Sequence, residues 1–262
     1  MPEDSVPLED GWSATTPPGD SIMRDFVDSS AAYLTSVGRG VGAAVIDDGD
    51  LAGAHHGAPF PFVNMVITRR PIPDSEWPDR LTRLRTAFAT NQPFVITAPF
   101  PTPDLRDHGF TQLGHPPFMI RPAGPHRDRP ALASLAIERV TEPESLAIFE
   151  RTLIDAYPAG PSGSMLHPAI LAVPGVTLWL ATLDGRPVAT AATHHSGPVN
   201  GVEMVACHAD VRGRGIGEAV TWAATSVVPE RPAALIASDP GRPVYARLGY
   251  LPVTRFTLWI GA

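Results

Sequence analysis

Six residues, RGRGIG from Arg212 to Gly217, stand between a strand-like run (NGVEMVAC, about 200 to 207) and a helical one. The helical spacing is carried by Ile216, Ala219, Val220, Ala223, Ala224 and Val227, and Pro229 stops it. Three glycines in six positions let the main chain curl so that successive amide N–H groups point into one concavity. The helix N-terminus adds its partial positive charge there. Such a strand–turn–helix unit is an anion seat, best suited to a pyrophosphate.

A turn of this composition also serves as a plain tight connection, which would leave the chain a two-domain scaffold. Two dinucleotide readings fail on residue identity. A Rossmann GxGxxG turn needs a third glycine where Glu218 stands, and a P-loop needs a lysine, which this chain lacks entirely.

The elements around the turn follow from pattern. LASLAIERV reads as a strand; Thr141, Pro143 and Glu144 read as a capping box, opening a helix to about Ala156 with Leu146, Phe149, Leu153 and Ala156 on one face. After the Gly/Pro loop AGPSGSMLHPA, Asp184-Gly185 predicts a hairpin of strands 176 to 183 and 186 to 194. Beyond the glycine turn come a short strand (AALIAS), a short helix (VYARLGY) and a final strand pair at about 251 to 260. The order predicts a mixed α/β or α+β layer fold.

The proline-rich stretch RPAGPHRDRPA at about 121 to 131 reads as a linker, dividing the chain into units 1–125 and 133–262. The segment from Phe94 (FVITAPFPTPDLRDHGFTQLGHPPFMIRP) lies without gaps on the segment from Ala234 (ALIASDPGRPVYARLGYLPVTRFTLWIGA), an offset of 140 residues that brings Gly109-Phe110 onto Gly249-Tyr250. This is an internal repeat at domain scale. Upstream, Trp77, Leu81, Leu84 and Phe88 predict an amphipathic helix and FVNMVI (62 to 67) a strand, but no glycine-rich turn precedes that helix.

Composition excludes some partners. A net charge of -7 with no long arginine run argues against nucleic acid, and suits a cationic amine better. No apolar run approaches the roughly 18 residues of a membrane span. The acidic, proline-bearing start MPEDSVPLEDGW has no signal-peptide pattern, so a cytoplasmic protein is expected. The single cysteine, Cys207, rules out an internal disulfide. His55-His56 and His194-His195 are adjacent on strands, point to opposite faces and cannot close on one ion, so no metal is expected.

CHADVRGRGIGEAVTWAA resembles motif A (Arg/Gln-x-x-Gly-x-Gly/Ala) of the GCN5-related N-acetyltransferase (GNAT) superfamily, and SDPGRPVYARLGY resembles its motif B. The resemblance covers about residues 133 to 262. It implies an acetyl-CoA-dependent N-acetyltransferase of GNAT fold, with acetyl-CoA as co-substrate and an amine on a small molecule or peptide as acceptor. Amides of Arg212, Gly213, Arg214, Gly215, Ile216 and Gly217 would take the pyrophosphate, and main-chain groups of Ala206, Cys207 and His208 the pantetheine arm.

Tyr245 matches the motif B tyrosine, a general acid toward the sulfur of coenzyme A; Glu203 lies on the strand leading into motif A, where several members carry a general-base glutamate, though at a different spacing, and His208 is the alternative base. Cys207 reads as core rather than as an acyl carrier. Ser238 stands where the family often has a cofactor-contacting asparagine. In the first half, Leu105 occupies the position of Tyr245, which suggests a tandem arrangement with a degenerate N-terminal unit. The rival functional reading is a non-catalytic acyl-CoA-binding sensor module, and a homodimer is left open.

Overall fold

A computed structural model describes residues 21–124, 132–157 and 164–262. The N-terminal twelve residues, most of the expected linker and part of the AGPSGSMLHPA loop lie outside these. The first half runs α1 (Ile22–Gly40), β1 (Ala44–Asp47), β2 (Leu51–His55), β3 (Met65–Thr68), α2 (Trp77–Phe88), β4 (Phe94–Ala98), β5 (Thr111–Gly114) and β6 (Pro117–Arg121). The second runs β7 (Leu135–Arg139), α3 (Pro143–Ala156), β8 (Val176–Leu183), β9 (Arg186–His194), β10 (Asn200–Cys207), α4 (Ile216–Thr225), β11 (Ala233–Ile236), α5 (Arg242–Arg247), β12 (Leu251–Arg255) and β13 (Thr257–Gly261). Helices packed on two mixed sheets make this the expected mixed α/β fold.

The expected hairpin forms with the predicted bounds. Asp184 and Gly185 both take positive φ (49° and 79°), the backbone twist that a two-residue hairpin turn needs. α2 buries Trp77, Leu81, Leu84 and Phe88 on one face, as its spacing predicts. α3 begins one residue later than expected. Glu142, not Thr141, is the N-cap, and Ser145 completes the box by accepting from the Glu142 N–H at 3.3 Å. α4 stops at Thr225, short of Pro229. β3 is shorter than FVNMVI, because the side-chain amide of buried Asn64 donates to Ala58 O (2.8 Å) and Pro93 O (2.9 Å), holding Pro61–Val63 as a 3-10 turn.

The final strand pair is the main correction. β12 and β13 do not pair with each other; they lie in different sheets. One sheet has the order β1-β2-β3-β4-β13-β5, the other β12-β6-β11-β10-β9-β8-β7. Only Phe256 separates β12 from β13, too short a link for a hairpin, and its N–H bonds Pro116 O at 3.0 Å. Each half therefore closes its sheet with the last strand of the other: β13 inserts between β4 and β5, and β6 between β11 and β12.

The 140-residue offset carries β5 onto β12 and β6 onto β13, so the exchange is reciprocal. Register shifts recur where β13 meets β5 and where β12 meets β6. Phe118 and Phe256 stack at the crossing, 5.0 Å apart at 18°, with Phe26 of α1 4.6 Å from Phe118. All three are essentially unexposed. Trp259 of β13 packs into the first half beside Phe94, Leu105 and Phe110, while Met119 of β6 packs into the second. Removing a buried aromatic side chain of this kind costs about 3–5 kcal/mol.

Candidate active site

The glycine turn opens α4. Gly213 (φ 76°) and Gly215 (φ 81°, the helix N-cap) occupy the left-handed region that side-chain-bearing residues avoid. Buried Val211 and Ile216 pin the turn at both ends, and residues 212–215 between them are exposed. The Arg212 guanidinium ties it down, donating to Cys207 O (3.1 Å) and Ala156 O (3.2 Å). Among the described residues no backbone acceptor takes the amides from Gly213 to Gly217; bonding resumes at Ala219 N–H to Gly215 O, 2.9 Å. The exposed part of that run, Gly213 to Gly215, sets open donors at a helix N-terminus, the geometry an anion needs.

From this turn β10 leads back to a gap in the sheet. β10 and β11 run parallel and pair only at Asn200–Ala233 and Gly201–Ala234. β10 then bulges between Glu203 and Ala206, with Met204 at φ 50°, held where the Thr190 hydroxyl donates to Met204 O at 2.9 Å. Where the strands part lies a cavity of about 350 Å³, into which the second half sends Glu203, Ser238 and Tyr245 and the first half sends Tyr33 of α1.

Glu203 is about a third exposed, and its charge is felt around the cavity. Burial raises Tyr245 well above the ordinary phenol value, with Tyr157, Tyr250 and Glu203 adding to the effect. Tyr33 and Tyr157 are raised by burial and then by Glu203. All three phenols therefore keep their protons at neutral pH. The fully buried His194 holds Nε2 3.7 Å from Glu203 Oε1 and stacks on the Tyr33 ring, 4.2 Å apart at 7°. Neither ring nitrogen of His194 has a hydrogen-bond partner among the described residues, and its ring covers Gly201 so closely that a Cβ there would overlap it.

The predicted residues fall into two groups. Arg212 to Gly217 form the turn, and Glu203, Ser238 and Tyr245 meet at the cavity. Ser238 also accepts from the Gly241 N–H at 3.1 Å, bracing the start of α5. His208 is less available than expected: its N–H donates to Val188 O (2.9 Å) and its carbonyl accepts from Val211 N–H (3.2 Å). Burial raises the Cys207 thiol, against the lowering pull of Arg212 and the Gly217 N–H, so the thiol is a poor nucleophile. His55 takes a framework role, its Nδ1 accepting from Gly57 N–H at 3.0 Å and its Nε2 lying 3.1 Å from Gln92 O. Among the described residues no three His, Cys, Asp or Glu side chains gather as a metal site would need.

Sequence reasoning missed α1, Tyr33, Tyr157 and the role of His194. α1 carried a readable signal: Ser21 accepts from Arg24 N–H as N-cap, and Phe26, Val27, Ala31, Leu34 and Val37 recur at helical spacing.

Residues 144–250 match the model of the acetyltransferase (GNAT) family. A search of curated proteins returned no match. Among solved structures, a GCN5-related N-acetyltransferase from Kribbella flavida is 25% identical, with 88% of this chain and 95% of that one covered at a TM-score of 0.62. A conserved protein of unknown function from Staphylococcus epidermidis (16% identity, 84% and 94% covered, TM-score 0.58) and a GCN5-related N-acetyltransferase from Sphaerobacter thermophilus (13%, 90% and 92%, 0.50) share the fold. All three likenesses span both sheets.

Proposed function

We propose that the chain is an acetyl-CoA-dependent N-acetyltransferase that moves the acetyl group directly to an amine, with its chemistry in residues 133–262. The observation that carries this reading is the exposed, left-handed glycine turn leading along β10 to the gap where Glu203 and Tyr245 meet. The amides of Gly213 to Ile216 would hold the pyrophosphate, with that of Gly217, which faces the Cys207 thiol, the least open of the expected set. Main-chain groups of Ala206 and Cys207, on the stretch of β10 that β11 leaves unpaired, would pair with the pantetheine arm. His208, its main chain already engaged, is the weakest of the expected contacts.

Bound acetyl-CoA supplies an electrophilic thioester carbonyl. Glu203, directly or through one water, takes the proton of the amine as its nitrogen bonds to the carbonyl carbon. Tyr245 gives its phenolic proton to the sulfur as the carbon–sulfur bond breaks. A raised phenol suits that role, since it arrives protonated. A positioned acid of this kind contributes roughly 10² to 10⁴ in rate, about 3–5 kcal/mol.

The first half, about residues 1–125, we read as a GNAT-like unit without a cofactor seat that walls the acceptor side of the cavity. Two measurements test the assignment. Acetyl-CoA at 100 times its dissociation constant should stabilise the protein by about 2.7 kcal/mol. An amine panel should also give acetyl-CoA-dependent thiol release that Tyr245→Phe suppresses. Stabilisation without release from any amine would leave a sensor module; no stabilisation would remove the cofactor reading itself.

A further inference from the structure

The walls of the cavity select among amines. Its described lining carries one carboxylate, Glu203, and no arginine, and the chain has no lysine. Its other ionisable nitrogen groups are His56 and His167. Burial, then His55, depresses His56 to about 4, so it is uncharged at neutral pH. The remaining surface is mostly apolar, with Phe60, Phe62 and Tyr157 forming an aromatic wall in mutual edge and tilted contact, 5.6 to 6.4 Å apart.

Each feature removes a class of acceptor. An acceptor carboxylate or phosphate would meet no arginine or lysine in the described lining, and a second ammonium would find no second carboxylate; a buried unpaired charge is strongly disfavoured. A peptide would bring main-chain polar groups against an apolar wall. An apolar or aromatic body fits the Phe60–Phe62–Tyr157 wall, and its single ammonium fits Glu203.

Resting on the acetyltransferase reading, we propose that the acceptor is a small primary monoamine on an uncharged aromatic or aliphatic body. Glu203 then recognises the ammonium; the amine passes one proton to solvent before attack, and Glu203 takes the next as the nitrogen bonds to the carbonyl carbon.

The full chain with acetyl-CoA is assayed for thiol release with tyramine, 2-phenylethylamine, L-tyrosine and spermidine. Tyramine should exceed L-tyrosine and spermidine by about 100-fold or more in kcat/KM, because each of those brings an unmatched charge. Transfer to L-tyrosine or spermidine at least as fast as to tyramine would overturn the inference while leaving the acetyltransferase standing. Absence of both acetyl-CoA binding and thiol release would remove the acetyltransferase reading. Calorimetric titration of tyramine into the protein decides the inference separately: affinity weakened about tenfold or more by Glu203→Gln upholds it, and no binding ends it.

Discussion

α4 and α2 begin in the same topological position, each after a strand that runs parallel to the next strand in its sheet, yet their approaches are built from opposite materials. Before α4 stand two glycines, both left-handed, and a third, Gly217, lies in its first turn; the amides of residues 213 to 217 have no backbone acceptor among the described residues. Before α2 stands RRPIPDSE, with no positive φ. Pro71, Pro73 and Pro78 have no N–H to offer, and Asp74, Glu76 and Asp79 supply carboxylates at the helix start. The arginines there are engaged: Arg70 and Arg80 with buried Asp50, at 2.5 and 2.6 Å, and Arg69 with Asp47 at 2.8 Å. One helix start is left open to an anion; the other is flanked by acids that would repel one. Topology alone does not make a phosphate site, and the donors that remain unclaimed do.

The largest expected effect sets Tyr245 against Leu105, its counterpart in the first half. Tyr245→Phe should lower kcat by about 10² to 10⁴ while Leu105→Met leaves it unchanged; similar kcat values for the two variants would break the comparison. Next, Gly215→Val forces a β-branched residue into the left-handed region and should weaken acetyl-CoA binding by about 100-fold in calorimetry, whereas Pro73→Ala should not alter it.

A third effect concerns stability. His56 is depressed to about 4 and His55 is also lowered, both by burial first, so the folded state binds fewer protons than the unfolded one between about pH 4 and 6.5. Stability should therefore fall as pH drops through that window, by about 2 kcal/mol, and His56→Gln should flatten the slope in urea titrations. The smallest effect asks whether the first half reaches the chemistry at all. Tyr33→Leu removes the ring stacked on His194 and should reduce kcat/KM by about five- to tenfold; an unaltered value would put α1 outside the site.

What the sequence disclosed was local. Asp184-Gly185 encodes its own turn, RGRGIG its own curl, and α2 its own apolar stripe, so each could be read without knowing the rest. What stayed hidden depends on long-range meetings. Glu203 comes near His194 only because the β9–β10 register sets Gly201 opposite His194, and Tyr33 arrives from a helix about 170 residues away in the chain. The strand exchange was invisible for the same reason. The 140-residue repeat gave each terminal strand correctly, but a repeat reports likeness and not partnership.

That exchange ties the two halves together in time as well as in space. During synthesis the first sheet lacks its fifth member until residues 257–261 leave the ribosome, and β11 waits beside a strand made more than a hundred residues earlier. Neither half can mature ahead of the other, and a nick between them would not release two working pieces.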